Sequence, residues 1–111
     1  MSDGRTILPQ LMALIEDRRA NRPAGSYTTR LLDGGVDAIG AKICEEAAEL
    51  VEAAREAEQA PEHVIHEAAD LVYHLLVMLA HCRLTLSDVE RELTRRFGTS
   101  GLDEKARRSS R

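Results

Sequence analysis

The chain predicts an all-α fold, an antiparallel bundle of about four to five helices, and three observations carry that expectation. Ala, Leu, Glu and Arg are abundant while aromatics make up only 3% of the residues and Trp is absent. Proline is confined to Pro9, Pro23 and Pro61, which leaves long stretches free of helix breakers. Within those stretches apolar residues recur three and four apart, the spacing of one helical face. A chain of 111 residues reads as one domain, 1–111, long enough for a core and short enough to gain from self-association.

The first helix is expected over Thr6 to Ala20, where Ile7, Leu11, Leu14 and Ile15 fall at helical spacing. It turns basic at Arg18 and Arg19, as suits the negative end of the helix dipole. Asn21-Arg-Pro-Ala-Gly25 ends it, and Ser26 or Thr28 can cap a short helical turn that Gly34-Gly35 closes. Residues 21–35 therefore read as a loop with structure of its own. From Val36 to about Gln59, Val36, Ile39, Ile43, Ala47, Leu50 and Ala54 form an apolar stripe with Lys42, Glu46 and Glu49 at its half-buried edge. Glu52, Glu56 and Glu58 fall on the solvated side.

Pro61 suits a first-turn position and opens a helix to about Cys82, in which Val64, Leu71, Leu75, Leu76, Val77, Met78 and Leu79 are apolar almost all round. Such a helix is central. Ser87-x-x-Glu90 has capping spacing, with Asp88 and Arg91 as partners, and predicts a last helix from near Ser87 to Phe97. Gly98 and Gly101 then release a basic tail, about 98–111.

Two acidic pairs stand out against this frame. Glu46-Ala-Ala-Glu49 and Glu67-Ala-Ala-Asp70 each set carboxylates three residues apart, within about 60° on a helix surface. With Pro61 between them, the two helices form an antiparallel hairpin on which four acids converge. The second pair lies in an apolar helix, where unpaired acids are costly. Converging carboxylates repel and take up protons unless a cation neutralises them, and Mg²⁺ is the hard cation that prefers oxygen ligands and substrate phosphates.

Other metals fit less well. A di-iron bundle needs Glu-x-x-His, which the chain lacks, and His63-x-x-His66 with two distant cysteines makes a poor zinc set. His63 and His66 are expected to be exposed near a helix start, whereas His74 is either a satisfied core histidine or a partner of a carboxylate. Lys42, one turn before Glu46, either pairs with it or reaches a phosphate that shares the metal. With neither a phosphate-binding glycine loop nor a nucleophilic Ser/His/Asp pattern, water is the nucleophile of any phosphoryl chemistry here. Glu45 or one of the metal ligands is then its base.

The formal net charge of −4 argues against a general grip on nucleic acid, although Arg95, Arg96, Lys105, Arg107, Arg108 and Arg111 gather near the end of the chain. Cys44 and Cys82 sit in helical patterns and are expected as buried thiols of a reducing compartment. The N-terminus carries no signal segment, and the longest apolar run, Leu71 to Cys82, is short of the ~18 residues that span a bilayer. A soluble, cytoplasmic protein is expected, with no membrane partner.

With these residues in hand, the chain resembles the phosphoribosyl-ATP pyrophosphohydrolases of histidine biosynthesis, within the all-α, MazG-like nucleotide pyrophosphohydrolase superfamily. The resemblance rests on Ser26-Tyr-Thr-Thr-Arg-Leu31, Lys42-Ile-Cys-Glu-Glu-Ala-Ala-Glu49, Glu67 to Val77 and Ser100-Gly-Leu-Asp-Glu-Lys105, in the family's order. It implies hydrolysis of phosphoribosyl-ATP to phosphoribosyl-AMP and pyrophosphate, Mg²⁺ on Glu46, Glu49, Glu67 and Asp70, and a helical homodimer. Two departures touch a phosphate contact: the family often has a second basic residue where Ala41 stands and a glycine where Cys44 stands. The cyclohydrolase domain that some organisms fuse to this one is absent, so the next step is expected on another chain.

Discrimination against ATP then needs cations beyond the triphosphate, for which Arg30, Arg95, Arg96 and Lys105 are candidates. For Arg95 and Arg96 the alternative is simple placement at a helix C-terminus. A house-cleaning nucleoside-triphosphate pyrophosphohydrolase would use the same acids with another base pocket. A non-catalytic helical interaction module would show no divalent-ion dependence.

Overall fold

The computed structural model describes residues 7–98, and these form four helices: α1 (Ile7–Asn21), α2 (Tyr27–Ala54), α3 (Pro61–His81) and α4 (Leu86–Phe97). No strand occurs among the described residues. The family segment Ser100 to Lys105 and the basic tail lie outside them.

Each boundary has a local cause. Ser26 caps α2, its hydroxyl accepting the Thr29 N–H at 3.2 Å. Pro61 occupies the first turn of α3, where its missing N–H costs nothing. The cap of α4 is Thr85 with Asp88, a reciprocal capping box one turn long, rather than the expected Ser87 with Glu90. The helix starts earlier because Leu86 packs against the core. Asp88 still pairs with Arg91. The second helix ends at Ala54, five residues short of Gln59, and residues 55–59 continue as turns.

The decisive feature of α2 is Gly35, whose backbone (φ 72°, ψ −160°) breaks the helix into two limbs. A straight helix would hold Tyr27 and Glu46 about 28 Å apart at 1.5 Å per residue. Instead Tyr27 bonds His74 on α3 while Gly35 lies beside His81, one end of α3 further on. The chain then returns along α3, with Gly40 beside Met78 and Glu49 beside Glu67. Residues 27–34 thus fold back against the start of the long limb. The stretch read as a structured loop is irregular at 22–26, helical from Tyr27, and broken again at Gly35, where the short helical turn closes as expected.

The core joins Met12 and Ile15 of α1, Leu31 and Leu32 of the short limb, Ile39 of the long limb, and Leu76, Val77 and Ala80 of α3. Arg19 ties α1 to this core by donating to the Ala80 carbonyl at 3.0 Å. The long limb of α2 and α3 form the principal contact, α1 lies across both, and α4 rests on α1. Several expected core residues lie outside: Val36, Ile7, Leu14 and Leu75 are exposed. So are Cys44 and Cys82, both free, which corrects the expectation of buried thiols. Cys44 lies off the buried side of α2, and Cys82 is the C-cap of α3, where the chain leaves the core.

Helix α3 is long and apolar enough, by length and composition, to cross a membrane, so the shorter Leu71–Cys82 run understates it. Two of its polar residues turn inward, His74 buried and Glu67 facing α2, while Glu62, His63 and His66 of its first turns are exposed. That arrangement is that of a central bundle helix.

Candidate metal and phosphate site

The acids of α2 and α3 meet where the long limb passes α3. Glu46, Glu49 and Glu67 each present a carboxylate oxygen to a common space, all within 4.8 Å of one another. Glu46 is only 6% exposed. Glu46 Oε2 and Glu67 Oε2 are both buried without a hydrogen-bond partner among the described residues. Buried carboxylate oxygens are seldom left so, because each forfeits its hydration. The pKa of the Glu67 carboxyl is pushed up to about 7, chiefly by the neighbouring Glu49 carboxylate, then by burial and by Glu46. Hard oxygen donors with unsatisfied lone pairs fit Mg²⁺.

Asp70 stands apart from this trio. Its carboxylate takes His66 Nε2 at 3.3 Å, and Glu67, 4.0 Å from the same nitrogen, links the two groups into a second cluster. The structure therefore brings three of the four expected acids to one point and sets Asp70 one turn along, on the histidine side. His66 is exposed as expected, yet it belongs to the site margin, a role the sequence reading missed. The spacing signal was present, since residues four apart on a helix are neighbours. From the acids a cleft of about 330 Å³ opens between the helices, lined by Glu52, Glu56 and His63 as well as by site residues.

Lys42 pairs with Glu45 at 3.1 Å rather than with Glu46. That bond raises its pKa further. Arg30 lies over the Tyr27 ring, 5.8 Å from its centroid, with only a long contact to the Gly25 carbonyl. Neither cation is buried in a strong pair. Arg95 and Arg96 differ: both clamp Glu92 within α4, and their hydrogen bonds hold the pKa of the Glu92 carboxyl well below its usual range. Because α4 rests on α1, these two belong to a helix C-terminus and are not gathered with the acids. Lys105 lies outside the described residues.

His74 resolves as a satisfied core histidine. Its Nδ1–H donates to the Asp70 carbonyl and its Nε2 accepts from the Tyr27 hydroxyl, both at 2.8 Å, which fixes the neutral tautomer. It touches the backbone of Asp70, not the carboxylate. A parallel bond joins Thr28 to Tyr73. Together they clasp the short limb of α2 onto α3.

Fold and site define an all-α protein whose two principal helices share a carboxylate cluster, with Lys42 in an exposed pair on the same helix. Comparison with known proteins narrows this class. A profile of the family described as phosphoribosyl-ATP pyrophosphohydrolase matches residues 8–97. A phosphoribosyl-ATP pyrophosphatase of Rhodopirellula baltica is 52% identical over 105 residues, covering 94% of this chain and 88% of its own. Proteins of the same name from Nitrosospira multiformis and Burkholderia cenocepacia are each 47% identical, over 94% of this chain and 84% and 88% of theirs. The chain belongs to the phosphoribosyl-ATP pyrophosphohydrolase family.

Proposed function

We propose that the protein hydrolyses phosphoribosyl-ATP to phosphoribosyl-AMP and pyrophosphate, an early step of L-histidine biosynthesis in the cytoplasm, and that the reaction depends on Mg²⁺. The observation that carries the metal is the pair of buried, partnerless oxygens on Glu46 and Glu67 inside a three-carboxylate cluster. Glu46, Glu49 and Glu67 would hold the ion, with Asp70 at the margin through Glu67. An ion held there would supply charge to offset the phosphates and would make a bound water more acidic.

The remaining work falls to the chain's own groups. Lys42, paired with Glu45, and Arg30, over the Tyr27 ring, supply positive charge to phosphate oxygens, Arg30 through its planar fork. Lys42 leaves an exposed partner, Glu45, to do so, at small cost, because solvent-exposed pairs contribute little. Water is the nucleophile, in keeping with a sequence that offers no nucleophilic Ser/His/Asp pattern. Glu45 or a carboxylate of the cluster takes its proton. Lys105 is proposed to meet the distal phosphate of the phosphoribosyl group.

A homodimer is part of the same proposal. An apolar groove of about 360 Å³ lined by Ile7, Leu8, Leu11, Ala68, Ala69 and Val72 supports it, and a solution mass of only 12.3 kDa would refute it. Pyrophosphate release from phosphoribosyl-ATP, ATP and dCTP, each with and without Mg²⁺, tests the function. Release from phosphoribosyl-ATP alone, abolished by chelation, is the expected result. Equal turnover of dCTP would move the chain to a house-cleaning role.

A further inference from the structure

Tyr27 is oriented against the usual sense of a surface tyrosine. An amphipathic side chain at the surface ordinarily buries its ring and leaves its hydroxyl in water. Here the hydroxyl points inward and donates to His74, which is 4% exposed, while the residue as a whole remains 41% exposed. The hydroxyl has given up water for a buried partner while ring surface stays wet. The bond to His74 clasps the short limb onto α3, and the orientation that it imposes leaves the residue open for something flat to cover the ring.

The surroundings say what that is. Tyr73 lies near-parallel to Tyr27 with centroids 6.3 Å apart, and the His74 ring meets Tyr27 edge-on at 5.9 Å, so the phenol is braced from inside. The guanidinium of Arg30 stands on the ring at 5.8 Å. Tyr27 bonds His74, whose Nδ1 in turn bonds the Asp70 carbonyl, one helical turn from Glu67. The ring thus stands over the stretch of α3 that leads to the acid cluster, and Lys42, Glu45 and Glu46 act electrostatically on the phenol. A planar group here would therefore be attached to something that reaches those acids, with Lys42 and Arg30 meeting negative charge along the way.

We propose that Tyr27 is the stacking platform for the purine ring of the nucleotide whose phosphates lie at Glu46, Glu49 and Glu67. The inference rests on the phosphohydrolase reading above and adds the base subsite to it. His74 and Tyr73 are positioning residues: they hold the ring rigid, so that stacking costs little side-chain entropy. Arg30 shifts from the ring face to admit the base, which its single long hydrogen bond permits.

The chain has two tyrosines and no tryptophan, so in a Tyr73→Phe variant ultraviolet emission comes from Tyr27 alone. With Mg²⁺ present, this variant is titrated with α,β-methylene-ATP and, separately, with inorganic tripolyphosphate. Each ligand's binding is read independently as inhibition of pyrophosphate release from phosphoribosyl-ATP. The expected result is that the nucleotide analogue quenches the emission and tripolyphosphate inhibits without quenching. In parallel, Tyr27→Leu should raise KM by roughly tenfold, the scale of one base–aromatic stack. Tyr27→Phe, which keeps the ring, should recover most of that loss.

Inhibition by the analogue with unchanged emission, equal quenching by tripolyphosphate, or Leu and Phe variants of equal KM would each overturn the stacking site. Emission that depends on protein concentration without nucleotide would assign the ring to a second copy of the chain and overturn it too. Absence of any turnover by the wild type would instead overturn the functional reading, and the base subsite with it.

Discussion

Replacing Gly35 with alanine tests whether the fold-back of α2 assembles the site. The backbone at φ 72°, ψ −160° lies in the region that essentially only glycine occupies. Space is not the obstacle, because an added Cβ would find its nearest neighbour, His81 Cε1, at an ordinary 3.8 Å. The cost is therefore backbone strain of about 1–3 kcal/mol. Alanine also narrows the unfolded ensemble, which offsets about 0.4–1 kcal/mol of this. A net loss of about 1–2 kcal/mol should appear as a lower urea midpoint with an unchanged slope, followed by helical circular dichroism. Asparagine gives a sharper test. It tolerates the left-handed helical region, where ψ is near +50°, but gains nothing at ψ −160°. Gly35→Asn should therefore be as unstable as Gly35→Ala, and both should raise KM for phosphoribosyl-ATP by displacing Tyr27 and Arg30. Alanine within about 0.3 kcal/mol of wild type, or asparagine with wild-type stability, would refute a glycine-only reversal.

The acid cluster yields two more expectations. With its folded value near 7 against an ordinary 4.5, Glu67 binds more protons in the folded than in the unfolded metal-free protein across that window. Its contribution to stability is complete below about pH 4 and is lost as pH rises through 7. The melting temperature of metal-free wild type should thus fall between pH 5 and 8 more steeply than that of Glu67→Gln, and Mg²⁺ should remove the difference in slope. Parallel pH profiles for the two proteins would contradict it. Glu46→Gln should move stability and activity in opposite directions, because it relieves repulsion at a buried carboxylate and removes a proposed metal ligand. A higher melting point without metal and loss of Mg²⁺-dependent pyrophosphate release are expected; a destabilised or still active variant counts against the assignment.

What was legible in the sequence was what depends on local spacing. Pro61 at a helix start, Ser26 as a cap and the two acidic pairs are each set by a few consecutive residues, and all three stand in the structure. The α4 start was misplaced because Thr85-x-x-Asp88 and Ser87-x-x-Glu90 are both plausible boxes. The choice between them was made by Leu86, whose packing against the core is a tertiary event. The cysteines failed for a related reason: an apolar residue in a helical pattern says nothing of how far the partner helices extend over it. Cys44 and Cys82 lie beyond that cover.

The site divides along the same line. Spacing of i and i+3 gathers Glu46 with Glu49, and Glu67 with Asp70, but which oxygens meet across the hairpin depends on the rotation of α3 against α2. That rotation turns Glu67 into the cluster and carries Asp70 toward His66. Tyr27 was hidden more deeply, since nineteen residues separate it from Glu46 and only the sign of φ and the value of ψ at Gly35 bring them together. A Gly-Gly pair announces a break in the chain without announcing its direction. Direction is what matters here, because a gentler bend at Gly35 would leave the acids intact while taking Tyr27 and Arg30 out of their reach. The carboxylate cluster is thus written into two short helical motifs, whereas the surface proposed to read the base exists only through one glycine's backbone.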